Sequence, residues 1–433
     1  MAVEDFHREA SVTPASFARY AQRSHSAGSR ELVYLVAPAG HPNYGDEFIL
    51  RTWLRYLARA RPEADIVVDC HTPGQAAVLL SGCHPRATFV DTVWRISFRA
   101  AELGRSEAIA FAGEVVTDPG RMPTIVSGIE LLARADTVHM VGGGYLNSVW
   151  AHHMTLPVTV LAAVRRSGGR ALATGQGLLP VGDEQRLRLM RELADQFWHF
   201  DIRDEASLRA VARSTPNLSS TGDDAWLGIG DDGVYDADSE AAQRRYVFCL
   251  QSDLVDDFAG GDGVDGLAEV VRRVGERWRI SGQDVAFIEG IPGADRVVFD
   301  RVAHLLRGVL FVPFTDVWTR GLPARPEQTW ITTRFHHHLL AAAAGASGVA
   351  LTGHTDYYVV KHHSLLDVGS RWRVTDDYDL PAAPPREGGL PCDAVARLHA
   401  AKKTLAARLY PQQAPSALRR AAKALGMTGR PPR

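Results

Sequence analysis

The sequence predicts an α/β protein built from two Rossmann-like domains that face a central cleft, followed by a C-terminal helix. Three observations carry that expectation. Short, continuous apolar runs alternate with segments of helical spacing, which is the pattern of buried parallel strands joined by helices. Glycine-rich stretches follow several of those runs, at the strand ends where open α/β sheets carry their ligand loops. A Gly-, Asp- and Ser-rich segment, residues 228–242, divides the chain into two such series of similar size and reads as the inter-domain linker.

In chain order, residues 1–30 are polar and without a strong period, and read as an N-terminal extension. Residues 31–37 form an apolar strand that runs into a turn-rich loop ending in Asp46 and Glu47. Ile49, Leu50, Trp53, Leu54 and Leu57 then repeat at helical spacing over residues 48–60. Strands follow at 65–69 and 136–141, the second running directly into Gly142, Gly143 and Gly144. Three glycines after a strand let a ligand approach the backbone closely. A helix at 157–165, a strand at 170–174 with a second glycine-rich end, a helix at 184–197 and a strand at 200–203 complete the first series. The second series reads as strands at 245–250, 284–288, 309–312, 328–333 and 348–352, with helices at 266–280 and 297–306. A helix at 393–409 precedes a tail, 416–433, that holds five basic residues and no acid. The expected domains are therefore 31–240, 241–390 and a C-terminal segment 391–433.

One stretch of the second series stands out chemically. Thr332 and Thr333 lead into Arg334, Phe335 and three consecutive histidines, His336, His337 and His338, with a small-residue run behind them that reads as a buried helix. An arginine and a histidine at a helix entrance suit an anion: the helix N-terminus favours negative charge and arginine grips a carboxylate or phosphate at two points. Consecutive histidines on a helix point about 100° apart, so the three do not converge on one metal ion, and no metal site is expected.

Composition bounds the function. With 45% hydrophobic and 23% charged residues, the 433-residue chain is of ordinary globular type. A formal net charge of −2 provides no global field for nucleic acid, so any anion site is local. The four cysteines, Cys70, Cys83, Cys249 and Cys392, match no zinc spacing and read as reduced thiols. Glu4, Asp5 and Glu9 at an N-terminus without an apolar core argue against a signal peptide, and residues 339–351 are too short to span a bilayer. A cytoplasmic protein is expected. The basic tail is a candidate for peripheral membrane contact, and the oligomeric state stays open.

An ordered set of motifs resembles the polysaccharide pyruvyl transferase family. They are Asn43-x-Gly-Asp-Glu47, Gly142-Gly-Gly144, Gly175-Gln-Gly-x-x-Pro180, Arg203-Asp204-x-x-Ser207, Gly222-Asp223, Arg334-Phe-His336 and Tyr358-x-x-Lys361, spanning about residues 33–370. Departures are Pro42, Val359, the added His337 and His338, and an additional stretch at 318–327. The resemblance implies a glycosyltransferase-B-like pair of domains, with the acceptor on the first and the donor on the second. It implies phosphoenolpyruvate as co-substrate, with no cofactor, a sugar or glycan acceptor, and a pyruvate ketal as product. Asn43, Gly143, Gly144 and Gln176 fall among the substrate-binding positions on this resemblance.

The residues can be read chemically in the same direction. Phosphoenolpyruvate carries a carboxylate and a phosphate on adjacent atoms and needs several fixed cations; Arg203, Arg334 and Lys361 are the candidates. Ketal formation needs a proton delivered to the methylene carbon, for which His336 is the first candidate, ahead of His153 and His152. Asp46 and Glu47 could orient or deprotonate the sugar hydroxyls, or serve only the helix start. The alternatives are a nucleotide-sugar glycosyltransferase, for which Glu289 in a glycine-rich loop is the available acid, and a non-catalytic relative or one recruited to small-molecule biosynthesis.

Overall fold

The computed structural model describes residues 30–212 and 217–412. The basic tail at 416–433, and with it the expected membrane contact, lies outside the described residues, as does the N-terminal extension apart from Arg30.

The chain forms two all-parallel sheets flanked by helices. The first runs β3-β2-β1-β4-β5-β6-β7, from β1 (Leu32–Val36), β2 (Asp65–Asp69), β3 (Ala87–Val90), β4 (Thr137–Met140), β5 (Arg170–Gln176), β6 (His199–Ile202) and β7 (Leu218–Ser220). The second runs β10-β9-β8-β11-β12-β13, from β8 (Tyr246–Cys249), β9 (Val285–Ile288), β10 (Leu310–Val312), β11 (Thr329–Thr332), β12 (Ser347–Leu351) and β13 (Arg373–Thr375). Both are doubly wound: the strand order reverses beside β1 and β4 in one sheet and beside β8 and β11 in the other. A crevice opens at such a reversal, because the connections leave toward opposite faces. The central strands are buried on both sides, as their unbroken apolar runs require. This is the glycosyltransferase-B-like architecture of two Rossmann-like domains.

The sequence pattern left much of residues 71–135 without elements. That region holds β3 and the helices Pro73–Leu79, Thr92–Ala100, Arg105–Glu114 and Val126–Leu132. These helices are short, so each shows too few turns for its period to stand out. The first long helix also begins earlier than its apolar period, at Tyr44. Asn43 is its N-cap, accepting from the Gly45 N–H at 3.3 Å. Asp46 and Glu47 are therefore in its first turn, not in the preceding loop.

The two crevices meet across the domain boundary. The Tyr44 N–H donates to the Gly290 carbonyl at 3.0 Å, and the Tyr357 hydroxyl donates to the Gly144 carbonyl at 2.8 Å. The C-terminal helix, Cys392–Leu409, returns to the first domain. There Lys402 donates to Asp201 Oδ2 at 2.8 Å, Asp224 Oδ1 at 2.9 Å and the Gly222 carbonyl at 2.7 Å. Asp224 also accepts from the Gly142 N–H at 2.9 Å and from Trp53 Nε1 at 2.7 Å. One buried carboxylate thus ties the triple-glycine loop to both helices.

Candidate active site

His336 lies in the first turn of the helix Phe335–Ala343, which no side chain caps. The helix starts there because β11 ends in Thr332, whose hydroxyl accepts the Arg334 N–H at 3.0 Å and turns the chain. The imidazole packs directly on Gly45 of the opposite domain, where any Cβ would collide with His336 Nδ1. That contact explains the glycine of the Asn-x-Gly-Asp-Glu motif: only a bare backbone admits the ring. His336 Nε2 lies 3.5 Å from Asp223 Oδ1. Burial alone would raise the Asp223 pKa, but His336 and Arg203 outweigh it and hold the carboxyl down at about 2. Asp223 is thus an ionised carboxylate facing the imidazole from the other domain.

Beside this couple lies Lys361, on the helix Thr355–Asp367. Its ammonium sits 3.4 Å from the Tyr357 ring centroid and 5.1 Å from that of Tyr358. Among the described residues no carboxylate lies within ion-pair distance of it. Burial pushes the Lys361 pKa well below the ordinary lysine value and Arg203 lowers it further; Asp46, Asp223 and Asp204 oppose this without restoring it. Arg203 is also buried, lies 5.1 Å over the Phe335 ring and touches Asp204 at 3.3 Å. A Cβ at Gly144 would stand 2.8 Å from Lys361 Cε and 3.0 Å from Arg203 Nη1, so the triple-glycine loop forms the floor beneath both cations.

Arg334 was expected to grip the anion, and the structure surrounds it with acids. Its Nη2 pairs with Asp295 and, at 3.0 Å, with Asp253, while Nε approaches Asp295 at 3.4 Å. Burial works to lower the Arg334 pKa, but the two carboxylates outweigh it and hold it above the ordinary value. Asp295 is in turn fixed by the Gly290 N–H at 2.7 Å. Two of the three guanidinium nitrogens are thus engaged within the second domain, and Arg334 braces the strand-to-helix junction that presents His336.

The remaining candidates divide by place. Asp46 adjoins the cluster: burial raises its pKa, while His336 and Lys361 act to lower it, and Asn43 Nδ2 donates to its Oδ2 at 2.8 Å. Gly143 pairs with Gln176 across the sheet, below the floor. The Gln176 side chain is fully buried and donates to the carbonyls of Met140, Val141 and Thr174, so it braces the loop from beneath. Glu47 points away, into the β1 loop, where Oε1 accepts the Gly40 N–H at 2.7 Å and Oε2 has no partner; burial raises its pKa to about 8. His153 is a layer removed, donating through Nδ1 to the Tyr145 carbonyl at 3.0 Å, with its pKa lowered to about 3 by burial. His337 is buried beside Tyr44, and His338 stacks on Trp372 and bonds to His362 at 3.0 Å. Among the described residues no three His, Cys, Asp or Glu side chains converge as a metal site. Glu289 has both oxygens engaged, by the Gly293 and Phe314 N–H groups. Sequence reasoning missed Asp223, Tyr357 and Asp204 as site residues. The Gly222-Asp223 and Arg203-Asp204 motifs were visible, but nothing local showed that Asp223 meets a histidine from the other domain.

The polysaccharide pyruvyl transferase model matches residues 43–264, more than half of the chain. The chain belongs to this family. The matched region takes in Asn43, Asp46, the triple glycine, Arg203 and Asp223, and ends before Arg334, His336 and Lys361. No curated protein matches the chain. A putative UDP-N-acetylglucosamine 2-epimerase from Listeria monocytogenes is similar in structure at 12% identity and a TM-score of 0.49, covering 93% of this chain and 99% of that one. The S. aureus MnaA–UDP co-structure is 13% identical, covering 88% and 90% at a TM-score of 0.48. Spinosyn rhamnosyltransferase SpnG complexed with spinosyn aglycone is 11% identical, covering 90% and 99% at 0.41. No helix among the described residues is long and apolar enough to cross a membrane.

Proposed function

We propose that the protein transfers the pyruvyl group of phosphoenolpyruvate to two hydroxyls of a sugar, forming a ketal on a glycan or sugar conjugate and releasing phosphate. The observation that carries this reading is the juxtaposition of His336 and Asp223 with a buried lysine that, among the described residues, has no carboxylate at ion-pair distance. Membership of the pyruvyl transferase family supports it.

Lys361 and Arg203 receive the donor's anionic groups over the Gly144 floor, with the uncapped helix start at Phe335 adding its partial positive charge. The anion restores the Lys361 charge that burial suppresses, so donor binding takes up a proton where the lysine is neutral beforehand. His336, which faces Asp223 at 3.5 Å, gives its proton to the methylene carbon, and C2 becomes an oxocarbenium-like electrophile. A sugar hydroxyl adds to C2 and returns a proton to the imidazole. The C2–O bond to phosphate then breaks, and a second hydroxyl closes the ketal as its proton leaves with the phosphate. Asp46, beside the couple, is placed to orient the incoming hydroxyls.

The test is a thermal-shift comparison of phosphoenolpyruvate with UDP-N-acetylglucosamine, followed by an assay for phosphate release and carboxyethylidene transfer to a panel of glycosides. Stabilisation by phosphoenolpyruvate with acceptor-dependent phosphate release is expected. Stabilisation by the nucleotide sugar alone would replace this reading with the glycosyltransferase one.

A further inference from the structure

A row of rings leads away from the lysine along the first domain. Lys361 stands on Tyr357; the Tyr357 ring meets Trp150 edge-on at 5.4 Å, and Trp150 stacks on His153 at 6.0 Å. His153 meets His152 at 4.4 Å, and His152 meets Phe98 at 5.9 Å. Phe98 is 46% exposed, an unusual place for a phenylalanine, and His71 lies against it at 5.7 Å. Trp150, His152 and His71 are each half-buried.

The row is held rigidly. Phe98 rides on the helix Thr92–Ala100, whose first turn is fixed by the buried Asp69 through the Val93 N–H at 2.8 Å. The His152 carbonyl accepts from Ser97 Oγ at 3.2 Å and Thr155 Oγ1 at 2.7 Å, which pins the histidine to the Phe98 helix. Burial lowers the His71 pKa to about 4, aided by His41 and His152, and burial also lowers that of His152. At neutral pH both rings are uncharged, so each offers one donor and one acceptor nitrogen. His71 Nε2 is buried with no hydrogen-bond partner.

We propose that the exposed end of this row is part of the acceptor subsite, and that it binds an uncharged pyranoside by stacking a C–H face of the sugar on Phe98 while His71 and His152 bond its hydroxyls. Flat aromatic faces carry a negative quadrupole that attracts the weakly positive C–H hydrogens of a sugar ring. Neutral imidazoles match hydroxyls, which both donate and accept, and match phosphate poorly. The row is continuous through Trp150 with Tyr357 and hence with the donor cations, so a glycan whose distal ring stacks on Phe98 runs back along it toward them. The substrate assignment rests on the pyruvyl-transfer reading; the sugar contact itself is measured without it.

The experiment is saturation-transfer NMR on the full chain with methyl α- and β-pyranosides of glucose, galactose, mannose and the N-acetylhexosamines. In parallel, the thermal shift with phosphoenolpyruvate and the sedimentation of phosphatidylethanolamine–phosphatidylglycerol vesicles are measured. At least one pyranoside should show saturation concentrated on its C–H protons. Phe98→Ala should weaken that binding roughly two- to tenfold, the worth of one aromatic contact, and Phe98→Trp should restore it. The donor shift should not change in either variant. Absence of ring saturation with every pyranoside, or equal binding by Phe98→Ala, overturns the subsite. Vesicle binding that is lost in Phe98→Ala while pyranosides stay silent assigns the exposed ring to a lipid surface instead. A protein that binds pyranosides through Phe98 but ignores phosphoenolpyruvate keeps the subsite and loses the pyruvyl-transfer reading.

Discussion

Lys402 and Lys361 are both buried, both on helices of the last third of the chain, and their surroundings are opposite. Lys402 directs its ammonium at two carboxylates and a carbonyl. Burial acts to lower its pKa, but Asp201 and Asp224 outweigh burial and the pKa rises. Lys361 suffers the same loss of water, has Arg203 beside it, and keeps only aromatic faces and more distant acids. Desolvation is common to both; counter-charge is what differs. A buried lysine with its partners in place is part of the scaffold, whereas one short of a partner is, on the proposed function, where an anion from outside binds.

The largest expected effect lies on the scaffold side. Lys402→Met leaves Asp201 and Asp224 buried without a cation, and should cost about 3–5 kcal/mol in urea-induced unfolding. A loss below about 1 kcal/mol, the worth of a surface pair, would mean that the carboxylates are compensated in another way and would break the contrast.

Next comes the proposed proton donor. His336→Ala should cut turnover by roughly 10² to 10⁴ while phosphoenolpyruvate affinity changes little, because Lys361 and Arg203 remain. A variant that binds donor weakly yet turns over normally at saturation removes His336 from the acid role. Gly45→Ala should lower turnover in the same sense, since the added methyl must displace the ring.

Lys361→Met is expected to weaken phosphoenolpyruvate binding by about 10- to 100-fold, the range of a hydrogen bond to a charged group. Its melting temperature without ligand should stay equal or rise, because an uncompensated buried amine is replaced by an apolar chain. A fall in stability as large as that of Lys402→Met would erase the distinction between the two lysines.

The smallest effect concerns Glu47, a buried acid that has also lost water without gaining a cation. Its pKa is raised from 4.5 to about 8, so the fold favours the protonated form. That contribution is complete below about pH 4.5 and is lost as pH rises through about 8. Glu47→Gln, which cannot titrate, should therefore gain in melting temperature relative to the parent as pH goes from 4.5 to 8. A difference that stays constant across that window would place an ionised Glu47 in the native protein.

Much of this molecule is legible in its sequence. The apolar runs that become β1, β4, β5, β8, β11 and β12 stand out because parallel strands are buried on both faces. The glycine-rich strand ends mark the crevices, and the order of the motifs marks the family. The short helices between β2 and β4 did not stand out, since few turns give little period. Arg203, Arg334, His336 and Lys361 could be named as chemistry-bearing residues before any fold was known.

How those residues divide the work was decided by tertiary structure. Arg334 is engaged by Asp295 and Asp253, respectively 39 and 81 residues away in the chain. Lys402 meets Asp201 and Asp224 across separations of 201 and 178 residues. Gln176, Glu47 and His153 are turned into the body of the first domain by backbone and packing contacts that no local pattern encodes. The inner strands of both sheets, the glycine-rich loops at their ends and the supply of cations and histidines can be read from the chain alone, whereas the edge strands β3, β7 and β13 cannot. Which cation is left without a counter-charge was settled only by folding, because charge compensation and desolvation act over a few ångströms between groups that the chain keeps far apart.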